Sequence, residues 1–243
     1  MKLAVVTGVH EGIGLACCTR LSKLGYQIVG IDSVSVDKMH KSLTGAGVKI
    51  EMLIGDLPIQ DNGEIAKSLE VLKGLKSWSV LVNALASNLG EGIYESRLDD
   101  WNTMINVNLT LPYQLSQLFA LSCKENNVAG SIVNVSSMVG LIGAKKPGYA
   151  SSRSGIFGLT KSLAMQLGPN VRCNLVYTGA VNDLMHSDWD SEKRRKVSNA
   201  TPMGRLAEPE DIARIITFLA DNEESSFITG ATINATGGQY LGQ

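Results

Sequence analysis

The 243-residue chain is predicted to fold as one α/β domain, a doubly wound parallel sheet of about seven strands with helices on both faces. Two observations carry this. Short unbroken apolar runs alternate with helical stripes along the whole chain, and no linker, low-complexity tract or internal repeat breaks the order. Buried strands alternating with helices make βαβ units, and right-handed crossovers wind such units into a sheet covered on both sides.

Taken in order, residues 3–7 form the first run and lead into a stripe over 12–24, where Ile13, Ala16, Cys17, Leu21 and Leu24 recur at helical spacing. Residues 27–31 read as the second strand and 36–43 as a short helix. Strand signals return at 49–54, 79–83, 131–135 and 171–177, separated by helical patterns at 65–72, 99–124 and 149–167. A helix over 209–221 precedes the last strand, 231–234.

Composition excludes several classes. Hydrophobic residues make up 44% and charged residues 19%, which argues against disorder. With 22 basic and 23 acidic side chains, the net charge of −1 lacks the footprint of a nucleic-acid binder. No apolar stretch reaches the length of a membrane span, and His10 and Glu11 interrupt the N-terminal apolar run too early for a signal peptide. Cys17, Cys18, Cys123 and Cys173 read as buried thiols of a reducing compartment, so a soluble, cytoplasmic protein is expected. The three histidines lack ligand-spaced partners, and no metal site is expected. The pair His186 and Asp188 does not make a hydrolase, because no serine sits in a Gly-x-Ser-x-Gly elbow.

The first strand ends in Thr7-Gly8-Val9-His10-Glu11-Gly12-Ile13-Gly14 and runs straight into a helix. Glycines there let the backbone turn sharply and approach a pyrophosphate, whose charge a helix N-terminus stabilises. Asp32, 18 residues after Gly14, ends the second strand. An acid at that place accepts hydrogen bonds from a ribose diol and repels a 2′-phosphate, and no Arg or Lys stands in the loop or just after Asp32. NAD(H) is therefore the expected cofactor. Farther on, Ser136 and Ser137 follow a strand, Tyr149 follows twelve residues after Ser137, and Arg153 lies one turn beyond Tyr149 on the same helix face. A tyrosine beside an obligate cation gives up its proton more readily. Such a group serves as general acid or base while hydride moves to or from a nicotinamide.

Together these residues make the whole chain resemble the short-chain dehydrogenase/reductase family, with its Rossmann-like fold, and in particular its 3-oxoacyl-reductase-like members. The resemblance implies that Gly8, Glu11, Gly12, Ile13 and Gly14 form the cofactor loop. It implies that Asp32 selects the cofactor and that Asp56, with Leu57 beside it, meets the adenine. Asn83, Gly179 and Val181 would complete the cofactor site. The catalytic set would be Ser137 (or Ser136), Tyr149, Arg153 and Asn108, with Tyr149 and Arg153 also touching the cofactor. The tail motifs around Pro202-Met203-Gly204-Arg205, Ile228-Thr229-Gly230 and Gly237-Gly238 extend the likeness.

Three departures stand out. The family's Asn-Asn-Ala-Gly is Asn83-Ala84-Leu85-Ala86, its Pro-Gly is Thr178-Gly179, and the lysine of Tyr-x-x-x-Lys is Arg153. Arginine keeps the charge but is bulkier, forked and never gives up a proton. The reading is an NAD(H)-dependent oxidoreductase interconverting a small secondary alcohol and a ketone. The alternative is a nucleotide-binding protein that kept the fold and lost efficient turnover. Residues 182–201, with Leu184, Met185, His186 and Trp189, are expected to form a substrate lid. Within them, Lys193-Arg194-Arg195-Lys196 reads as a solvated helix face, or else as a dock for an acidic carrier or anionic substrate. Lys145 and Lys146, adjacent on a loop, read as solvated, or else as partners of a substrate carboxylate. Trp101, Leu115 and Phe119 recur at a spacing that fits a core face; by the resemblance they are expected instead at a subunit contact in a homotetramer.

Overall fold

Why each strand carries two kinds of apolar residue is explained by the computed structural model, which describes residues 2–76 and 78–242, leaving out the side chain of Leu184. Seven parallel strands form one sheet in the order β3-β2-β1-β4-β5-β6-β7. They are β1 (Lys2–Thr7), β2 (Tyr26–Ile31), β3 (Ile50–Ile54), β4 (Trp78–Asn83), β5 (Gly130–Ser137), β6 (Val171–Thr178) and β7 (Thr232–Ala235). The order reverses direction between β1 and β4, which leaves a crevice at their carboxyl ends.

Side chains alternate across each strand. On one face Ala4 and Val6 of β1 join Val80, Val82, Val133 and Val176 beneath α1 (Gly12–Lys23), α2 (Val36–Gly45) and α9 (Pro209–Ala220). On the other, Leu3, Val5, Leu81 and Ile132 pack under α3 (Asn62–Ser68), α5 (Leu111–Asn126) and α7 (Pro147–Leu167). The remaining helices, α4 (Leu98–Ile105), α6 (Val139–Ile142) and α8 (Ser191–Ala200), lie nearer the crevice.

The fold expected from the sequence is the fold observed, with three local differences. The helical pattern over 99–124 divides into α4, a wide π turn at Asn106–Thr110, and α5. Pro112 has no N–H to donate, so the regular ladder cannot run through this point. The pattern over 65–72 divides into α3 and a 3₁₀ turn at Glu70–Gly74. Leu115 and Phe119 do not face a neighbouring subunit. Both are fully buried in the core, and the Phe119 ring stands edge-on to Trp78 with centroids 5.0 Å apart. Trp101 is half-buried against the start of α7.

Candidate active site

The carboxyl ends of β1, β2, β5 and β6 open on a cleft of about 710 Å³. Its floor is the turn between β1 and α1, where Gly8, Glu11, Gly12, Ile13 and Gly14 all line the cavity. Gly8 has φ +74°, and a Cβ on it would lie 3.0 Å from the backbone of Leu85. A Cβ on Gly14 would lie 2.0 Å from the Gly8 carbonyl oxygen, so only glycine lets the helix close onto the strand. The residue preceding α1, Glu11, makes no side-chain cap bond. The first amides of α1 thus face the cleft without a side-chain acceptor, an arrangement suited to an anion.

Asp32 sits beside this turn, 4% exposed, and each carboxylate oxygen accepts one backbone N–H: from His10 at 3.0 Å and from Ser33 at 2.7 Å. The bond from His10 ties the end of β2 to the glycine turn. Glu11 is half-buried nearby, and burial raises its carboxyl above the ordinary glutamate range. Asp183 and Asp32 push in the same direction, while His10 opposes them.

The segment after β4 keeps its approach to Gly8 in spite of its altered sequence. The Thr7 hydroxyl accepts the amides of Ala84 and Leu85, each at 2.9 Å. Asn83 is buried below, its amide donating to Asn134 Oδ1 at 2.8 Å. Asn108, in the π turn, is fully buried. It accepts the Ser87 amide and donates to the Ser87 carbonyl, both at 2.8 Å, and also donates to Ser152 Oγ at 2.9 Å. It therefore clamps the segment after β4 to α7, the helix that carries Tyr149.

At the far wall, Ser137 ends β5 and Tyr149 lies in the first turn of α7; both line the cleft. Ser136 also reaches the lining, but its hydroxyl is buried and donates to the Arg153 carbonyl at 2.8 Å. That engagement leaves Ser137, whose Oγ accepts the Val139 amide at 3.4 Å, as the serine whose hydroxyl proton is free to donate. Arg153 is only 5% exposed; its guanidinium carbon lies 5.3 Å from the centre of the Tyr149 ring, and Nη1 donates to the Val135 carbonyl at 3.2 Å. Its Nε is buried with no partner within the protein. A buried guanidinium N–H is costly unless something else accepts from it.

Residues 8–239 match a family model described as enoyl-(acyl carrier protein) reductase. The chain belongs to the short-chain dehydrogenase/reductase family. It is 34% identical, over 98% of its length and 96% of the relative's, to a (3R)-3-hydroxyacyl-CoA dehydrogenase of Canis lupus familiaris. It is 33% identical, over 99% and 98%, to a 3-oxoacyl-[acyl-carrier-protein] reductase of Thermotoga maritima. Among solved structures it superposes, with a TM-score of 0.87 and 27% identity over 98% and 96%, on a candidate NAD(P)-dependent gluconate 5-dehydrogenase from Beutenbergia cavernae with NADP bound at low occupancy. This is an oxidoreductase of a family that uses a nicotinamide cofactor.

Of the residues expected in this short-chain dehydrogenase site, Gly179 and Val181 join the lining, and four do not. Asn83 and Asn108 lie behind the wall as described. Leu57 is buried in the core under β1 and β2. Asp56 is exposed at a left-handed backbone position, φ +51°. Sequence reasoning named Met185 in the lid but missed several contacts. Gln239 accepts the Ala180 amide at 3.0 Å and donates to Thr201 at 2.6 Å, fastening the C-terminal tail to both ends of the 182–201 segment. Asp183 lies against Gly12 and accepts from His186 Nδ1 at 3.1 Å. The Tyr149 hydroxyl meets the Met185 sulfur at 3.8 Å. Arg194, read as part of a solvated run, instead turns inward and donates to the carbonyls of Trp189 and His186 and to Asn182 Oδ1. Only the glycine pair at 237–238 advertises the tail in the sequence; the other contacts span loops and carry no periodic signal.

Proposed function

We propose that the protein is an NAD(H)-dependent oxidoreductase interconverting a small secondary alcohol and a ketone, with Tyr149 as general acid/base. The observation that carries this is the shared cleft: the Ser137 and Tyr149 hydroxyls stand at one wall and the uncapped start of α1 at the floor, with Arg153 buried between them. The residues fit a dinucleotide. The free amides of α1 match a pyrophosphate, Asp32 matches a ribose diol, and the unpartnered Arg153 Nε offers a donor to a ribose hydroxyl. Nicotinamide, when bound, supplies or accepts the hydride at the substrate carbon.

The chain's own residues handle the oxygen and the proton. Ser137 Oγ donates to the substrate oxygen and holds it against Tyr149. In ketone reduction the Tyr149 hydroxyl gives its proton to that oxygen; in alcohol oxidation the phenolate takes it back. Arg153 places a permanent positive charge beside the Tyr149 ring and relays no proton. Asn108 acts as a positioning residue through its clamp on Ser87 and Ser152. Residues 182–201 serve as a lid, with Met185 resting on Tyr149 until substrate displaces it.

Asp32 favours NAD(H) over NADP(H): its carboxylate, with Glu11 and Asp183 close by, disfavours a 2′-phosphate. The Beutenbergia cavernae relative holds NADP, which makes the cofactor comparison a direct test. We further infer a cytoplasmic homotetramer, in which exposed Tyr113 and Leu121 of α5 and Met165 of α7 meet a second copy. Among the described residues no helix is long and apolar enough to cross a membrane. The decisive assay is NADH oxidation with a panel of ketones, run with wild type and Tyr149→Phe. Turnover in the wild type and its loss in the variant, with NADH still binding, is the expected result. Equal activity in both would move the chemistry elsewhere.

A further inference from the structure

Charges of both signs line the cleft. Glu11, Asp32 and Asp183 stand by the glycine turn. Lys145 and Lys146, from the segment leading into α7, and Lys193 of α8 also line it, and Lys146 borders an adjoining hollow together with Glu11 and Asp188. Lys146 caps α7 three residues before Tyr149, and its Nζ donates to the Asn88 carbonyl at 2.9 Å, which fixes the ammonium at the cleft edge. Lys193 Nζ is held 4.5 Å from the centre of the Trp189 ring, and Trp189 packs edge-on against His186 with centroids 4.4 Å apart. Among the described residues none of these three lysines takes part in a salt bridge. Three ammonium groups with no salt-bridge partner line one cavity, and two of them are held by contacts of their own. An anion in that cavity gains their combined attraction.

We propose that the substrate carries an anionic group, a carboxylate or a phosphate, and that Lys146 and Lys193 grip it while Ser137 and Tyr149 hold the carbonyl oxygen. Lys145, exposed like Lys193, adds to the field. Two ammonium groups contribute, one at the start of α7 and one on the lid. Anion binding therefore also draws the lid toward α7, so that the charged end of the substrate helps to close the site over its reacting end. A neutral ketone lacks this handle. This inference rests on the oxidoreductase reading for the role of Tyr149, but the anion site itself does not depend on turnover.

The test pairs charged ligands with neutral counterparts: 3-, 4- and 5-oxohexanoate against their methyl esters, and dihydroxyacetone phosphate against dihydroxyacetone. Calorimetric titration measures binding, and NADH oxidation is followed in parallel. At least one charged compound should bind ten-fold or more tightly than its neutral partner, and which pair shows it tells carboxylate from phosphate. Lys146→Gln and Lys193→Gln should each cut that preference about ten-fold, about 1.4 kcal/mol, and raising salt should erode it in the wild type. Equal binding of every pair, a preference that survives in the double variant, or variants that weaken only NADH would each overturn the proposal. If the charged ligands bind preferentially yet no ketone consumes NADH, the anion site stands and the oxidoreductase reading fails. If neutral ketones turn over and charge adds nothing, the oxidoreductase stands and this proposal fails.

Discussion

The guanidinium of Arg153 lies over the ring of Tyr149, 5.3 Å from its centre, rather than beyond its hydroxyl. The two residues are one helical turn apart, so the cation and the phenol move as a unit on α7. With its second contact at the Val135 carbonyl, Arg153 also ties α7 to the last turn of the sheet. Arg153→Lys keeps the charge and should hold or raise kcat, with NADH affinity nearly unchanged. Arg153→Ala removes charge and packing together and should lower kcat/KM about a hundred-fold or more. Steady-state kinetics with a responsive ketone, alongside melting temperatures to account for the packing loss, checks both. A wild type without turnover that Arg153→Lys rescues would instead point to a protein that has lost efficient catalysis.

Cofactor choice turns on Asp32. NADH should bind at least ten-fold more tightly than NADPH, about 1.4 kcal/mol, and Asp32→Ala should shrink the difference. Because Asp32 also accepts the His10 amide, the variant should weaken both cofactors through a looser glycine turn. Fluorescence titration with each nucleotide measures this, and equal wild-type affinities would end the NAD(H) assignment.

Glu11 gives a pH signature. Its carboxyl is raised by burial first, then by Asp183 and Asp32. A carboxyl raised in the folded state contributes stability that is full below its unfolded value and lost as pH rises through its folded value. Its charge also sits where a pyrophosphate is expected. Wild-type NADH affinity should therefore rise as pH falls below neutrality, whereas Glu11→Gln should bind more tightly at pH 7 and respond little to pH. The same variant should be the more thermostable protein at pH 7 and should lose that advantage in acid. Identical pH profiles for the two proteins would rule this out.

All four cysteines are buried and free. Burial raises every thiol, Cys123 to about 11 and Cys173 to about 12, with Cys17 and Cys18 raised strongly as well. Thiolate is the reactive form. The native protein should show almost no reaction with a disulfide reagent over minutes at pH 8, and four equivalents should react after denaturation.

Assembly depends on side chains that the fold leaves outside. Tyr113 and Leu121 are half exposed on α5, and Met165 is 87% exposed on α7. Replacing Tyr113 and Met165 together with glutamate should convert a tetramer to smaller species by light scattering while leaving the circular dichroism of the fold intact. A wild type that scatters as a 26.0 kDa monomer at micromolar concentration would refute the tetramer.

Chain order and hydrophobic period determined the fold by themselves. Strands buried on both faces must be apolar almost throughout, as β1 is from Leu3 to Val6, and helices covering them must be striped, so seven strands and their crossovers are legible in one dimension. The glycine turn, Asp32, Ser137, Tyr149 and Arg153 were legible too, because each sits at a strand end or helix start where the chain's own geometry delivers it to the crevice. Tertiary structure alone decided the rest. Whether Phe119 meets Trp78 or another subunit depends on which side of α5 the sheet covers, and periodicity marks a face without saying what lies against it. Ser136 and Ser137 are neighbours, yet strand alternation buries one hydroxyl against Arg153 and leaves the other in the cleft. Asp183 and Gln239 reach the site from the segment after β6 and from the tail. Their contacts join residues far apart in sequence, which composition and spacing do not encode.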